Sequence, residues 1–152
     1  MHKQTLHIFL FSGCCLASFS IFAASVNSLT EETGMSFATI IGDPFGDNIT
    51  LTPSGSISGQ NGSIFTGSPV SAEFSVKGDN NTAVSISFST GDTLTGSGDN
   101  MPLSNFTHDA GSSPAFNGAG NLFFNVGATL TINAGQAGGS YFGLYTVTVD
   151  YP

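Results

Sequence analysis

Apolar and polar residues alternate with a period of two along much of the chain. Ala72, Phe74 and Val76 alternate with Glu73, Ser75 and Lys77; Val84, Ile86 and Phe88 with Ser85, Ser87 and Ser89; and Leu122, Phe124 and Val126 begin an alternation that continues through Ala128, Leu130 and Ile132. This is the period of a strand with one face buried. After residue 25 the longest stretch free of glycine and proline covers residues 79–90, and it too alternates, so long helices have nowhere to form. The clearest strand is the last run, over 141–151. Tyr141, Gly143, Tyr145, Val147, Val149 and Tyr151 share one face, and its aromatic and β-branched members make it the core face. Weaker strands are expected over 35–41, 48–52, 55–58, 63–66 and 103–106.

Turn residues separate these runs at the short spacing of an all-β sandwich or barrel. Asn61-Gly62, between Ile57 and Ile64, favours a two-residue hairpin. Gly78-Asp79-Asn80-Asn81 joins two strong strands. Two stretches rich in Gly, Ser, Asn and Asp, residues 91–100 and 107–121, read as loops at the end of the sandwich.

Before the first strand lies a different kind of sequence. Lys3 is followed by an unbroken apolar or small run from Ile8 to Ala24, with small residues at Ala23, Ala24 and Ser25. The pattern is that of a secretory signal peptide over residues 1–25, cleaved near Ser25. Two alternatives stay open. The 17-residue run reaches the lower edge of bilayer-spanning length, and Phe11-Ser12-Gly13-Cys14 loosely resembles a lipobox. With the leader removed, residues 26–152 form one domain that does not span a membrane, and the chain is expected outside the cytoplasm: in the periplasm, at the surface or released.

Composition then narrows the chemistry. Only 8% of residues are charged, Trp is absent, and removing the leader takes away Lys3, both cysteines, His2 and His7. Lys77 remains as the single base against ten acids, and His108 as the single histidine. A domain with a net charge of −9 and one cation does not bind nucleic acid through a basic patch. Without thiols it is held together by its apolar core alone. His108 beside Asp109 suggests half of an acid–base pair, but strand neighbours point to opposite faces and no second His or Cys completes a site; His108 reads as an exposed loop residue. Nucleophilic catalysis lacks an activating base, so no catalytic residue and no enzyme activity is expected. No cofactor is expected either, apart from calcium, for which Asp92, Asp99 and Asn100 offer clustered oxygens. Asp43, Asp47 and Asp79 lie in similar Asx-rich turns, and none of these segments matches an EF-hand loop. Asn48, Asn61, Asn80 and Asn105 head sequons, as surface positions would.

The run NLFFNVGATLTINAGQAGGSYFGLYTVTVDY resembles the closing signature of a family of bacterial secreted domains, domain of unknown function 4402. In that signature a strand ending in Val-Gly, here Val126-Gly127, precedes a short apolar strand, Leu130 to Ile132. A loop with small residues and Gln follows (134–138), then Gly139-x-Tyr141-x-Gly143 and a strand ending in Tyr151. The resemblance covers roughly residues 35–151, including Ser36-Phe37 and SAEFSVKGDNN; it departs at Ala38, where the family more often has Gly. It implies a signal peptide and an immunoglobulin-like antiparallel β-sandwich akin to fimbrial and spore-coat subunits, and it carries over no catalytic residues.

Two functions fit. The first is an exported structural or adhesive protein, fimbria-like or at the cell surface, pairing with itself or other surface proteins through strand edges. Its motive is the scarcity of the Lys, Pro and inward charges that usually blunt such edges. Residues 26–34 are too short and too irregular to serve as a donor arm. The second is a carbohydrate- or calcium-binding β-sandwich module that uses the loops.

Overall fold

The computed structural model describes residues 26–59 and 61–152, together with the backbone of residues 5–7. Apart from those three residues, the expected leader lies outside the described residues. The strands in chain order are β1 (Thr5–His7), β2 (Ser28–Thr33), β3 (Thr39–Ile41), β4 (Asp47–Leu51), β5 (Ile57–Ser58), β6 (Ile64–Thr66) and β7 (Ala72–Lys77). They continue with β8 (Ser85–Phe88), β9 (Thr93–Gly96), β10 (Met101–His108), β11 (Asn121–Ile132), β12 (Tyr141–Gly143) and β13 (Thr146–Asp150). Every pairing is antiparallel and the described residues contain no helix.

The fold is an antiparallel β-sandwich organised around β11. Along one edge β11 pairs first with β7, Asn121 to Val126, and then with β4, Ala128 to Ile132; along the other it carries β10. Beyond these lie β2 on β7, β5 on β4, and β9 then β12 on β10, which makes a curled eight-stranded sheet. A smaller sheet of β1, β13 and β8 forms the second layer, and β3 with β6 makes a separate hairpin. The alternating residues meet in one core. Phe74, Val76, Phe124, Val126 and Leu130 come from the large sheet, and Val84, Val147 and Val149 from the segment leading into β8 and from β13. Removing each such side chain from water contributes roughly 1.5–3 kcal/mol.

Aromatic rings tie the layers together. Phe74 stacks on its cross-strand partner Phe124 at 5.4 Å, and Phe88 of the small sheet stacks on Phe106 of the large one at 5.3 Å. Phe106 in turn meets Tyr145 at 5.1 Å. Aromatic pairs of this kind contribute about 0.5–1.5 kcal/mol each beyond their area.

The point where β11 exchanges β7 for β4 is Gly127. A Cβ there would collide with the carbonyl oxygen of Leu51 and lie 2.7 Å from the carbonyl carbon of Thr52. The strand therefore does not end at Val126-Gly127 as the family signature reads; it runs through unbroken for 12 residues because glycine lets two backbones share one edge. The last run also departs from expectation. Its core face is as expected, but it divides at Leu144-Tyr145, with β12 in the large sheet and β13 in the small one.

One strand is added and other expectations are corrected. Residues 26–34 contribute β2, which pairs with β7 from Ser28↔Lys77 to Thr33↔Glu73. Strand 35–41 is reduced to β3 plus a bridge from Ser36 to Val70, because Ala38 adopts φ 60° and breaks the extended run. Asn61-Gly62 makes no hairpin: β5 pairs with β4 and β6 with β3, so this segment links two sheets. The loop expected over 91–100 contains β9, and β10 reaches His108.

Ala38 and Gly127 give opposite tests. Alanine in the left-handed region costs roughly 1–2 kcal/mol, partly offset by the extra unfolded-state entropy of glycine. Ala38→Gly is therefore expected to raise stability by about 0.5–1 kcal/mol in urea titration, while Gly127→Ala lowers it by about 2 kcal/mol or more through overpacking.

Candidate functional site

The expected acid–base and calcium candidates are dispersed or already engaged. His108 is not an exposed loop residue. It ends β10 half-buried, with ring centroids 6.1 Å from both Phe88 and Phe124, because the edge of β10 pairs through to Val126. Its Nδ1 is buried and meets no hydrogen-bond partner among the described residues. Asp109 turns away from it, accepting from the backbone and side-chain amides of Asn125 at 2.7 Å each. His108 is thus a member of the aromatic column that joins the layers, and its acidic neighbour in sequence is engaged with Asn125.

Asp92 and Asp99 sit at opposite ends of β9, a four-residue strand about 13 Å long. Asp92 accepts from the Ser89 hydroxyl at 2.7 Å, and its carbonyl is bonded by the Leu103 amide. The carbonyls of Asp99 and Asn100 accept from Gln136 at 2.7 Å and Asn133 at 3.0 Å. Among the described residues no group of three or more His, Cys, Asp or Glu side chains is placed to hold a metal ion.

Asn133, Gln136 and Tyr141 form a polar clasp. The Gln136 amide also donates to the Tyr141 hydroxyl at 2.9 Å, its oxygen accepts from Asn133 at 2.8 Å, and Tyr141 donates to the Ala137 carbonyl at 2.7 Å. The loop between β11 and β12 is thereby fastened to the β9–β10 turn. Gly143 completes the fit, since a Cβ there would press on the backbone of Thr93 and lie 2.7 Å from Leu94 Cδ2. The Gln and Gly-x-Tyr-x-Gly positions of the signature are structural, and their spacing places them in this clasp.

Asp47 is a second clamp. Only 7% exposed, its carboxylate accepts from the backbone amides of Asn61 at 3.0 Å, Ser63 at 3.2 Å and Asn48 at 2.8 Å. Burial pushes its pKa up, but these hydrogen bonds and that of the Ser63 hydroxyl outweigh burial and hold it below the ordinary carboxylate value. A carboxylate ringed by N–H donors is stabilised in its charged form and holds residues 61–63 against the start of β4. Glu31 is shifted the other way: burial raises its pKa, opposed by a hydrogen bond from Tyr145 at 3.4 Å. Burial and the adjoining Glu31 charge push the Tyr145 hydroxyl up in turn.

The surface with unused pairing capacity is the rim of the sheets. β5 and β12 are edges of two and three residues. β2 carries Glu31 and Glu32, and Glu32 accepts from the Ser75 hydroxyl; charge on an edge is a common device against unwanted pairing. β13 has the sequence Thr-Val-Thr-Val-Asp, with no Pro, Lys or bulge. One of its edges pairs with β8, and the other takes β1 in the register Thr5↔Thr148, Leu6↔Val147, His7↔Thr146. Among the described residues after 25, no strand covers that second edge. Sequence reading missed both β2 and the special position of β13, because alternation marks a buried face and says nothing about which edge is occupied.

The family model described as Domain of unknown function (DUF4402) matches residues 28–151. No curated protein and no solved structure matches the chain. The matched span begins at the first residue of β2, so β2 lies within the family domain. No helix among the described residues is long and apolar enough to cross a membrane.

The two shifted carboxylates oppose each other in acid. Asp47 has a folded pKa below its unfolded value, so its stabilisation is present above the usual carboxylate pKa and is lost as pH falls through the lowered one. Glu31, raised, favours the fold below the usual value and loses that contribution as pH rises through the raised one. Asp47→Asn is expected to cost about 1.5–3 kcal/mol at pH 7 and to flatten the acid limb of a stability–pH profile measured by urea unfolding. Glu31→Gln raises stability at pH 7 and leaves the acid limb in place. Replacing His108 by Phe removes an unsatisfied buried nitrogen and is expected to leave stability unchanged or raise it by up to about 1 kcal/mol.

Proposed function

The chain belongs to the DUF4402 family, and on that premise we propose that it is an exported, non-catalytic structural or adhesive protein that works through strand-edge pairing at or beyond the cell envelope. The observation that carries this reading is the contrast between its edges. β2 bears charges on its rim, whereas β13 carries alternating β-branched residues, and the strand that pairs with its outer side among the described residues is β1, from the segment read as a leader. An edge of this composition is a template for main-chain pairing. The leader-like residues 1–25 support export, and the fimbria-like character stays part of this proposal.

The full chain, expressed with its own leader in a bacterial host, tests the reading. Intact mass is expected to place the new N-terminus within about two residues of Val26. Size-exclusion chromatography with light scattering is expected to show species larger than a monomer at high concentration. A chain that keeps its leader and stays in the cytoplasm, or one that remains a monomer throughout and forms no assemblies on cells, would contradict it.

A further inference from the structure

We infer that in the processed protein the β13 edge left by Thr5–His7 pairs with the β13 edge of a second copy, antiparallel about a two-fold axis through Thr148. The inference rests on the export reading above and names the partner and register of that edge.

The backbone directions come first. Thr146 exchanges hydrogen bonds with Ser89 on the β8 side, its carbonyl accepting from the Ser89 amide and its own amide donating to the Ser89 hydroxyl. Backbone groups alternate sides along a strand, so those of Thr148 also point to β8, and those of Val147 and Val149 point to the outer edge. That edge accepts an antiparallel strand, as the pairing of Leu6 with Val147 demonstrates. The strand itself starts at Thr146, after the buried Tyr145, and the edge is taken from there.

A second β13 fits this edge because the sequence is self-complementary. Centred on Thr148, the two-fold sets Thr148 opposite Thr148, Val147 opposite Val149 and Val149 opposite Val147. The two valine pairs are the hydrogen-bonded ones, exchanging four main-chain bonds. The axial threonines form a non-hydrogen-bonded pair with Cα atoms about 4.5 Å apart. Directly opposed residues share a face, so valine continues the buried face across the seam and threonine the outer one. β-Branched cross-strand pairs are favourable, and an isologous contact closes on itself as a dimer. The result is a four-stranded layer β8–β13–β13–β8. The seam is short and each copy carries a net charge of −9 after processing, so association is weak and strengthens with salt, which screens the repulsion.

The axial position gives the test. The processed protein lacks cysteine, so Thr148→Cys introduces a lone thiol whose mate in the dimer lies within disulfide range. Ser87→Cys, on β8, would face its mate across three strand spacings, about 14 Å, beyond that range. Both variants are exported with the native leader, checked by mass and oxidised, and the wild type is followed by sedimentation velocity over concentration and salt. The expected result is a disulfide-linked dimer roughly tenfold more abundant for T148C than for S87C, with a wild-type dimer that grows with concentration and salt and is lost in Thr148→Glu. Equal cross-linking of both variants, or a leader that is never removed, overturns the inference. Large assemblies without T148C cross-linking overturn it and leave the export reading intact. A processed monomer without cross-links overturns the inference together with the edge-pairing role, and leaves export itself standing.

Discussion

At Gly127 the backbone of β11 and that of Leu51 and Thr52 pass closer than any side chain allows. Because of this contact, one 12-residue strand serves two neighbours along a single edge, β7 and then β4. Residues 126–128 are buried in succession there, covered on both faces. The rest of the sandwich is arranged about this strand. β10 lies along its other edge, and β10 carries the rings of Phe106 and His108 that meet Phe88 and Tyr145. Without disulfides in residues 26–152, this column of rings and the aliphatic core beneath it are what hold the two layers in register.

Polar residues in this protein fasten loops. Asp47 gathers three backbone amides, and Gln136 with Asn133 and Tyr141 secures the turn before β10. Each spends its hydrogen-bonding capacity on the chain's own backbone or on a neighbour in the same clasp. That pattern explains why clustered Asx residues in a charge-poor chain do not converge on one point, and why Asp92 and Asp99 end up on opposite ends of β9. Ala38 fits the same logic from the other side. Its φ of 60° is a conformation that glycine adopts without strain and alanine does not.

The fold class was legible because period-two alternation reports a face: the faces of 72–76 and 122–132 are buried as the pattern says, and so are Tyr145, Val147 and Val149 of the last run. What alternation cannot report is connectivity. The Val-Gly pair reads as a strand end, yet the steric demand at Gly127 comes from Leu51, about 76 residues away in sequence, and no local pattern encodes it. Asn61-Gly62 has hairpin chemistry but lies between strands that belong to different sheets. Residues 28–33 hide their strand behind Glu31 and Glu32, whose charges suit an outer edge and mask the apolar signal. A lone histidine among polar neighbours reads as solvated, while the rings that cover His108, Phe88 and Phe124, arrive from distant parts of the chain.

On the proposed reading, export converts β13 from a covered strand into an edge, and everything proposed for the protein depends on the state of that edge. Residue-resolved amide hydrogen exchange in the processed protein reads that state. The Val147 and Val149 amides are expected to exchange fast in dilute protein and to slow down as concentration rises, while the Thr148 amide, on the β8 side, stays slow throughout. Val147 and Val149 amides that are protected equally at every concentration would mean that the monomer covers its own edge, and would overturn the pairing of β13 with a second copy.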